Sequence, residues 1–155
     1  MRNYVPRLLA VAAVLAAVGC ASTSGEAAPP AYAPHTMNVL IGGSFDRGGD
    51  GPALGGTYEY RKRGKVGFGG FADVAFGNDT STVVGGAVFV RPEERWGLMA
   101  GPGVEFINGN TNVLARIGGW YEFPMDEFTI SPIGWIDLDS DDVSFFIGVA
   151  LGLRF

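Results

Sequence analysis

The final segment of the chain, 143–155, alternates without interruption between two kinds of residue, and this alternation constrains the fold more than any other feature. One set of positions is entirely apolar: Val143, Phe145, Ile147, Val149, Leu151, Leu153 and Phe155. The positions between them are mostly small or polar: Ser144, Phe146, Gly148, Ala150, Gly152 and Arg154. Because successive side chains of a strand point to opposite sides, the pattern predicts a half-buried β-strand. At about 3.3 Å per residue and a tilt of about 40°, it would rise roughly 33 Å, enough to cross an apolar band about 25 Å tall.

The same two-residue period begins at Met37 and recurs to the end of the chain. Gly, Pro, Asn and Asp cluster between the periodic segments, as turns require. Eight antiparallel strands joined by short turns predict an all-β fold, a closed up-and-down transmembrane barrel. The predicted strands lie at about 37–46, 54–62, 65–76, 81–91, 95–107, 112–123, 127–138 and 143–155.

Three of the predicted strands depart from a simple alternation. The strand at 81–91 is apolar on both faces, so the pattern does not decide which of its faces points outward. Pro102 and Pro132 lie inside predicted strands, where proline cannot donate a ladder hydrogen bond. Each of them predicts a β-bulge.

The distribution of charge indicates which face of the barrel meets lipid. Charged residues make up 17% of the chain, against about 25% in an ordinary soluble domain, and the apolar faces almost exclude them. An apolar face outside, in lipid, is favoured. The alternative is a lipid-anchored periplasmic carrier of the lipocalin type, with the apolar face inside around an apolar ligand. Aromatic residues cluster toward the strand ends, as interfacial girdles do: Phe45, Tyr60, Phe76, Phe89, Trp96, Phe106, Phe123, Phe128 and Phe155.

The closing strand ends on an aromatic residue, Phe155, at the last position of the chain. In this it resembles the closing strand of bacterial outer-membrane barrels, whose terminal Phe is read by the membrane assembly machinery. Over 37–155 the chain is similar to the small OmpA/OmpX-type eight-stranded family. The resemblance implies a monomer in the outer membrane, in contact with lipid and lipopolysaccharide, with Phe155 as assembly signal. It also implies that both termini are periplasmic, and that short loops near 47–53, 77–80, 108–111 and 139–142 face outside.

The N-terminal segment 1–19 predicts an export signal. Arg2 and Arg7 precede an apolar run that is shorter than the about 20 residues of a membrane-spanning helix. Ala17 to Cys20 resembles a lipobox, which implies lipidation of Cys20; cleavage after Ala21 is the alternative. The segment 20–36 is rich in Ala, Pro and Ser and predicts a disordered spacer. This spacer contains the only histidine, His35, which would then lack fixed neighbours.

The inward faces of the predicted strands collect charges of both signs. Buried charge is costly unless it is paired, so we expect an ion-pair network that fills the lumen. The functional alternative is a path for protons or small ions through the same charges. Arg154 is expected to pair with Glu59 or Glu122. The lumen network is predicted to contain Glu59, Arg61, Asp73, Glu105, Arg116, Glu122, Asp137 and Arg154.

The residue types available argue against catalysis. A serine nucleophile needs an adjacent base, and the only histidine precedes the first predicted strand. No Cys/His cluster suggests a metal, and no cofactor is expected. The net charge of −5 argues against nucleic-acid binding. Two basic segments, Lys62–Lys65 and Arg91 with Arg95, are expected in periplasmic turns. The sequence therefore predicts a structural or interaction role.

Overall fold

The computed structural model of the protein describes residues 34–45, 50–140 and 142–155. The predicted signal peptide, Cys20 and most of the predicted spacer lie outside the described residues, as do positions 46–49 and 141 of two predicted loops. Among the residues that are described, no helix is both long and apolar enough to cross a membrane.

Nine β-strand segments follow one another along the chain and occupy eight positions around a barrel. The short β7 follows β6 and pairs with the same neighbour, β8, so that β6 and β7 share one position. The segments are β1 (His35–Phe45), β2 (Gly51–Tyr60), β3 (Val66–Phe76), β4 (Thr80–Val90), β5 (Trp96–Ile107), β6 (Asn110–Tyr121), β7 (Phe123–Pro124), β8 (Phe128–Leu138) and β9 (Val143–Arg154).

Antiparallel pairing connects each position to the next, and the first strand to the last. The β1–β9 ladder runs from Thr36 opposite Arg154 to Phe45 opposite Phe145. Backbone hydrogen bonds of 3.0 Å in both directions between His35 and Phe155 extend this ladder. The sheet therefore closes on itself, and the predicted eight-stranded up-and-down barrel is confirmed.

The two ends of the barrel carry different connections. The terminal end holds His35, Phe155 and the turns at 61–65, 91–95 and 125–127. The loop end holds the remaining connections, and the shortest is Asn108-Gly109. Both of its residues have positive φ, 51° and 76°, the geometry of the type I′ hairpin turn.

The first strand begins earlier than predicted, at His35. The His35 ring stacks against Phe155 at 5.5 Å and lies 5.1 Å from the Tyr60 ring. Its Nδ1 is 2.7 Å from the hydroxyl oxygen of Tyr58. The expectation that His35 lacks fixed neighbours is wrong. The apolar period cannot reveal this end of β1, because the outward residue there is polar.

Neither proline produces the predicted bulge. β5 pairs with β4 in one register on both sides of Pro102, and β8 pairs with β9 in one register through Pro132. Instead, pairing between β4 and β5 is interrupted at Gly86 and Ala87, opposite Pro102 and Gly101. A proline lacks the N–H that a ladder bond needs, so the strand loses a bond without gaining a residue.

Apolar side chains point outward around the whole barrel. Ile41, Phe68 and Val113 are 68%, 62% and 73% exposed. On β4, where both faces are apolar, the structure points Val84, Val88 and Val90 outward and leaves Val83, Ala87 and Phe89 inside. The interior of a soluble carrier is the apolar side, so this arrangement is the reverse of the lipocalin type.

Phe89 was expected in the outer aromatic girdle, and this prediction is wrong. The side chain is 1% exposed and meets the Trp120 ring edge-on inside the barrel, with ring centroids 6.0 Å apart. The two apolar faces of β4 made its direction undecidable from the pattern alone.

Candidate functional site: two charged clusters in the lumen

The predicted lumen residues lie inside the barrel in two groups at different heights. We call Asp73, Arg116 and Asp137 the loop cluster, because they lie toward the loop end of β3, β6 and β8. We call Glu59, Arg61, Arg91, Glu122 and Arg154 the terminal cluster, because they lie at the terminal end.

Arg116 is the centre of the loop cluster and is 1% exposed. Its Nε and Nη2 each donate a hydrogen bond of 2.7 Å to Asp137. Its Nη1 donates to Asp73 at 2.5 Å, and Nη2 donates to the other Asp73 oxygen at 3.3 Å. Arg116 and Asp137 are also directly opposite in the β6–β8 register. One planar guanidinium thus pairs with two buried carboxylates, as its fixed fork of donors allows.

Two aromatic rings enclose the same guanidinium. The Cζ atom of Arg116 lies 4.3 Å from the ring centroid of Phe71 and 4.3 Å from that of Trp135. Trp135 in turn stacks on Phe146, with centroids 3.9 Å apart and planes 10° apart. A cation against a ring face is stabilised by the ring quadrupole, and more strongly when water is excluded. The rings therefore both fill the lumen and favour the charged form of Arg116.

Arg91 is the centre of the terminal cluster, whereas the sequence predicted it in a periplasmic turn. It is 3% exposed. Its Nη2 donates to Glu59 at 2.7 Å and its Nη1 donates to Glu122 at 2.5 Å. Burial opposes its charge, but the hydrogen bonds and charges of Glu59 and Glu122 outweigh that effect and raise the pKa of Arg91 above its ordinary value.

Arg61 and Arg154 complete the terminal cluster, and Trp120 contacts it. Arg154 forms an ion pair with Glu122, one of its two expected partners. The Nε of Arg61 lies 3.9 Å from Glu59. The indole of Trp120 donates to Glu122 at 3.1 Å, and the Arg91 guanidinium lies 5.3 Å from its ring.

Arg91 was missed because the outward face of β4 could not be chosen from its apolar pattern. Once Phe89 is known to point inward, the two-residue period places Arg91 on the same side. Ser81 lies on this inward face as well, but Thr80 and Thr82 are equally polar on the other face, so the polar residues did not decide the direction either. In the structure Ser81 donates a 2.6 Å hydrogen bond to Glu105 in the lumen.

Glu105 is fully buried, and polar side chains donate hydrogen bonds to it. Besides the Ser81 hydroxyl, the Asn112 side chain donates to it at 3.4 Å. Polar partners from β4 and β6 therefore flank this carboxylate on both sides, which lowers the cost of burying it.

Mainly apolar side chains occupy the strand positions between the two clusters, with Leu40, Ala87, Met99 and Ile133 all buried. The polar Asn38, Thr57 and Ser131 line the same level. A cavity of about 10 Å³ lies beside Met99 and Ile133, and another of about 10 Å³ adjoins the loop cluster. A water molecule needs roughly 10–15 Å³, so each cavity is the size of about one water.

The lumen thus combines paired charges, aromatic rings and apolar packing. Within the described part of the chain, no group of three or more His, Cys, Asp or Glu is placed to hold a metal ion. His35, the only histidine, lies on the outer surface beside Tyr58. The hydroxyl of Ser81 therefore faces a carboxylate and has no imidazole base in the lumen.

No family model and no curated protein sequence matches the chain. Solved structures do match. The N-terminal β-barrel domain of Pseudomonas aeruginosa OprF has a TM-score of 0.59 and 10% identity, covering 80% of this chain and 100% of that one. Neisserial surface protein A has a TM-score of 0.57 and 8% identity, covering 78% and 96%. The Yersinia pestis outer membrane protein Ail, in a phospholipid bilayer nanodisc, has a TM-score of 0.56 and 14% identity. The match covers 80% of this chain and 100% of that one.

At these identities the likeness concerns the fold. It agrees with the closed eight-position sheet. The chain has the fold of the small eight-stranded outer-membrane β-barrels.

Proposed function

We propose that the protein is a structural component of the outer membrane, with a lumen filled by side chains and no catalytic activity. The observation that carries this proposal is the inversion of polarity: apolar side chains cover the outside, and paired charges occupy the inside. Such a barrel contributes to membrane integrity, or to an interaction made through lipid or a periplasmic partner.

The filled lumen is supported by the geometry of both clusters. Each arginine at a cluster centre contacts two carboxylates, and Leu40, Ala87, Met99 and Ile133 separate the two clusters. An eight-stranded barrel encloses only as much space as side chains can fill. A permanent ion path through the same charges would need the apolar positions to open.

The short loops favour lipid or the assembly machinery as partners over a large extracellular partner. Asn108-Gly109 is a two-residue turn and Gly77–Asp79 connects β3 with β4 at the same end. Outer-membrane barrels usually present longer loops on that side. Such connections provide little area for a receptor surface, whereas specific protein interfaces bury about 800 Å² per partner.

The experiment that tests the proposal follows the protein in membranes of a bacterium that expresses the full chain. We expect heat-modifiable migration on a gel and retention in outer-membrane fractions after an alkaline carbonate wash. A barrel embedded by its apolar surface resists that wash, whereas a peripheral carrier is released. Extraction by carbonate would contradict the proposal and favour the lipid-anchored carrier.

Lipidation of Cys20 stays a prediction, since this residue lies outside the described part of the chain. Mass spectrometry of the mature N-terminus tests it. An acylated Cys20 would add a second membrane attachment near the start of β1. An unmodified cysteine, or a mature chain that begins after it, would contradict the prediction without affecting the barrel.

A further inference from the structure

A long apolar groove crosses the outer surface of the barrel over β6, β8 and β9. Its volume is about 320 Å³, larger than the about 150 Å³ of an engineered apolar cavity that binds benzene. Gly119 of β6 and Gly134 of β8 lie directly opposite each other in its floor. The groove walls include Trp96, Leu98, Ile117, Ile136, Phe145 and Ile147.

The groove exists because large outward side chains surround two outward positions that have none. Phe145 and Ile147 are only half-buried along its wall, and Ile117 is 55% exposed at its edge. Gly119 and Gly134 carry no side chain there, and an added Cβ would meet Leu98 Cδ2 at 3.1 Å and the Phe146 carbonyl oxygen at 3.3 Å. A concave strip thus lies in the outer wall of the barrel.

The direction of the groove suits an acyl chain. Trp96 and Tyr121 line it toward the terminal end, and Ile136 and Phe145 line it toward the loop end. The groove therefore extends across β5, β6, β8 and β9 from the terminal end toward the loop end, so that an acyl chain lying in it would point into the bilayer. In the bilayer core, hydrocarbon takes the place of water around this face.

The terminal end of the groove has the features of a headgroup level. The Trp96 and Tyr121 rings meet edge-on with centroids 5.1 Å apart, and Phe123 lies 5.0 Å from Tyr121. Amphipathic rings such as these concentrate at membrane–water interfaces. The adjoining turns expose four carboxylates and one guanidinium, Glu93, Glu94, Arg95, Asp126 and Glu127. One further cation, the Lys65 ammonium, donates a 2.7 Å hydrogen bond to the Pro92 carbonyl oxygen, so carboxylates still outnumber cations.

This charge balance favours a headgroup that carries an ammonium as well as a phosphate. A headgroup with net negative charge would meet more carboxylates than cations, and like charges repel. We propose that the groove holds one acyl chain of a zwitterionic phospholipid, with its headgroup beside Trp96 and Tyr121. The inference rests on the proposed placement in the membrane.

The test measures which lipid remains on the protein. The full mature chain is refolded into vesicles with equal amounts of phosphatidylethanolamine and phosphatidylglycerol, extracted in mild detergent and analysed by native mass spectrometry. We expect one retained phospholipid, mainly phosphatidylethanolamine. In Gly134→Leu, which fills the groove, the retained fraction should fall on the order of tenfold, equivalent to about 1.4 kcal/mol of binding.

Two further variants make the result specific. Ile117→Trp fills the groove from its edge and leaves both glycines in place, so it should reproduce the loss even if Gly134→Leu folds poorly. Gly86→Leu is the matched control: this outward glycine lies on β4, away from the groove, and an added Cβ there would meet its nearest atom only at 3.8 Å. It should retain lipid as the wild type does.

Three outcomes would overturn the inference. Equal retention in the wild type and both groove variants would remove the groove as the binding site. Equal or greater retention of phosphatidylglycerol would contradict the headgroup assignment. A dimer that both groove variants abolish would identify a second copy of the chain as the occupant. Heat-modifiable migration and carbonate resistance are measured on the same samples, so failure of the groove is distinguishable from failure of the membrane placement.

Discussion

Arg116 shows how a full charge becomes stable in the middle of a membrane barrel. Its donors reach two carboxylates, and its two faces are covered by Phe71 and Trp135. Desolvating such a group costs several kcal/mol, and the cost is repaid only when the geometry satisfies the whole guanidinium. The consequence is an asymmetry: removal of the arginine alone leaves Asp73 and Asp137 buried side by side.

We therefore predict that Arg116→Met lowers the free energy of unfolding by about 3–5 kcal/mol, the cost of leaving a buried partner unpaired. Urea unfolding of the protein in lipid vesicles, followed by tryptophan fluorescence, measures the change. Adding Asp73→Asn and Asp137→Asn should restore part of the loss, because the uncompensated charges disappear.

The matched control for Arg116 is Arg63→Met in the exposed turn between β2 and β3. Exposed substitutions away from special features usually change stability by no more than about 0.5 kcal/mol. A similar loss in both variants would show that removing any arginine is harmful, and the buried cluster would then carry no special role.

Whether a residue could be placed from the sequence depended on how different the two faces of its strand are. Arg116 was assigned to the lumen because Val113, Ala115 and Ile117 mark the other face of β6 clearly. Arg91 was assigned to a turn because β4 is apolar on both faces. Alternation carries information about direction only when the two environments select different residues.

At the scale of single elements, the β5–β6 turn depends on one glycine. Gly109 has a φ of +76°, a region that costs an L-residue with a β-carbon roughly 1–2 kcal/mol. Gly109→Ala should therefore destabilise the barrel by about that amount in the urea assay. Asn108→Gly, in the same turn, relieves a positive φ of 51° and should be neutral or slightly stabilising. Equal losses in both variants would contradict the turn geometry.

The closing seam between β1 and β9 contributes to stability and is expected to contribute to assembly, and deletion of one residue can separate these two roles. Phe155 exchanges backbone hydrogen bonds with His35 and stacks on its ring, yet its side chain remains 63% exposed. Deleting Phe155 removes only this last pair of the ladder. We expect a large fall in the amount assembled in the outer membrane and a small change in the urea midpoint of refolded protein.

Phe76→Ala is the control for the seam, since Phe76 is an outward aromatic at the loop end and is 50% exposed. It should cost similar stability without the defect in assembly. Parallel losses of assembly in both variants would show that assembly merely follows stability, and Phe155 would then not be an assembly signal.

The same seam shows why strand ends were predicted less well than strands. The eight strands were predictable because each repeats its alternation over many residues. His35 adds a single polar residue to the end of β1, and its partners Tyr58, Tyr60 and Phe155 come from other strands. The bulge predictions at the two prolines failed for a related reason. A strand can tolerate one missing N–H without a bulge, and only its pairing with both neighbouring strands shows whether it contains an extra residue.

At the scale of the whole molecule, the two clusters and the apolar positions between them divide the lumen into three levels. An ion entering from either end would first meet paired charges, then Leu40, Ala87, Met99 and Ile133. Hydrophobic constrictions oppose conduction because they exclude water. We therefore expect that the charges alone do not make a pore, despite their number.

We predict that wild-type protein in planar bilayers shows no stable large open state at neutral pH. Met99→Ala shortens the largest flexible side chain between the two clusters. Leu40→Ala shortens a second apolar side chain at this level, on the opposite side of the barrel. The double variant should show measurable small currents, because water can then connect the clusters. Gly86→Leu, on the outer face, should remain as silent as the wild type. A stable large open state in the wild type would contradict the filled lumen, whereas a silent double variant would show that the charged clusters alone close the barrel.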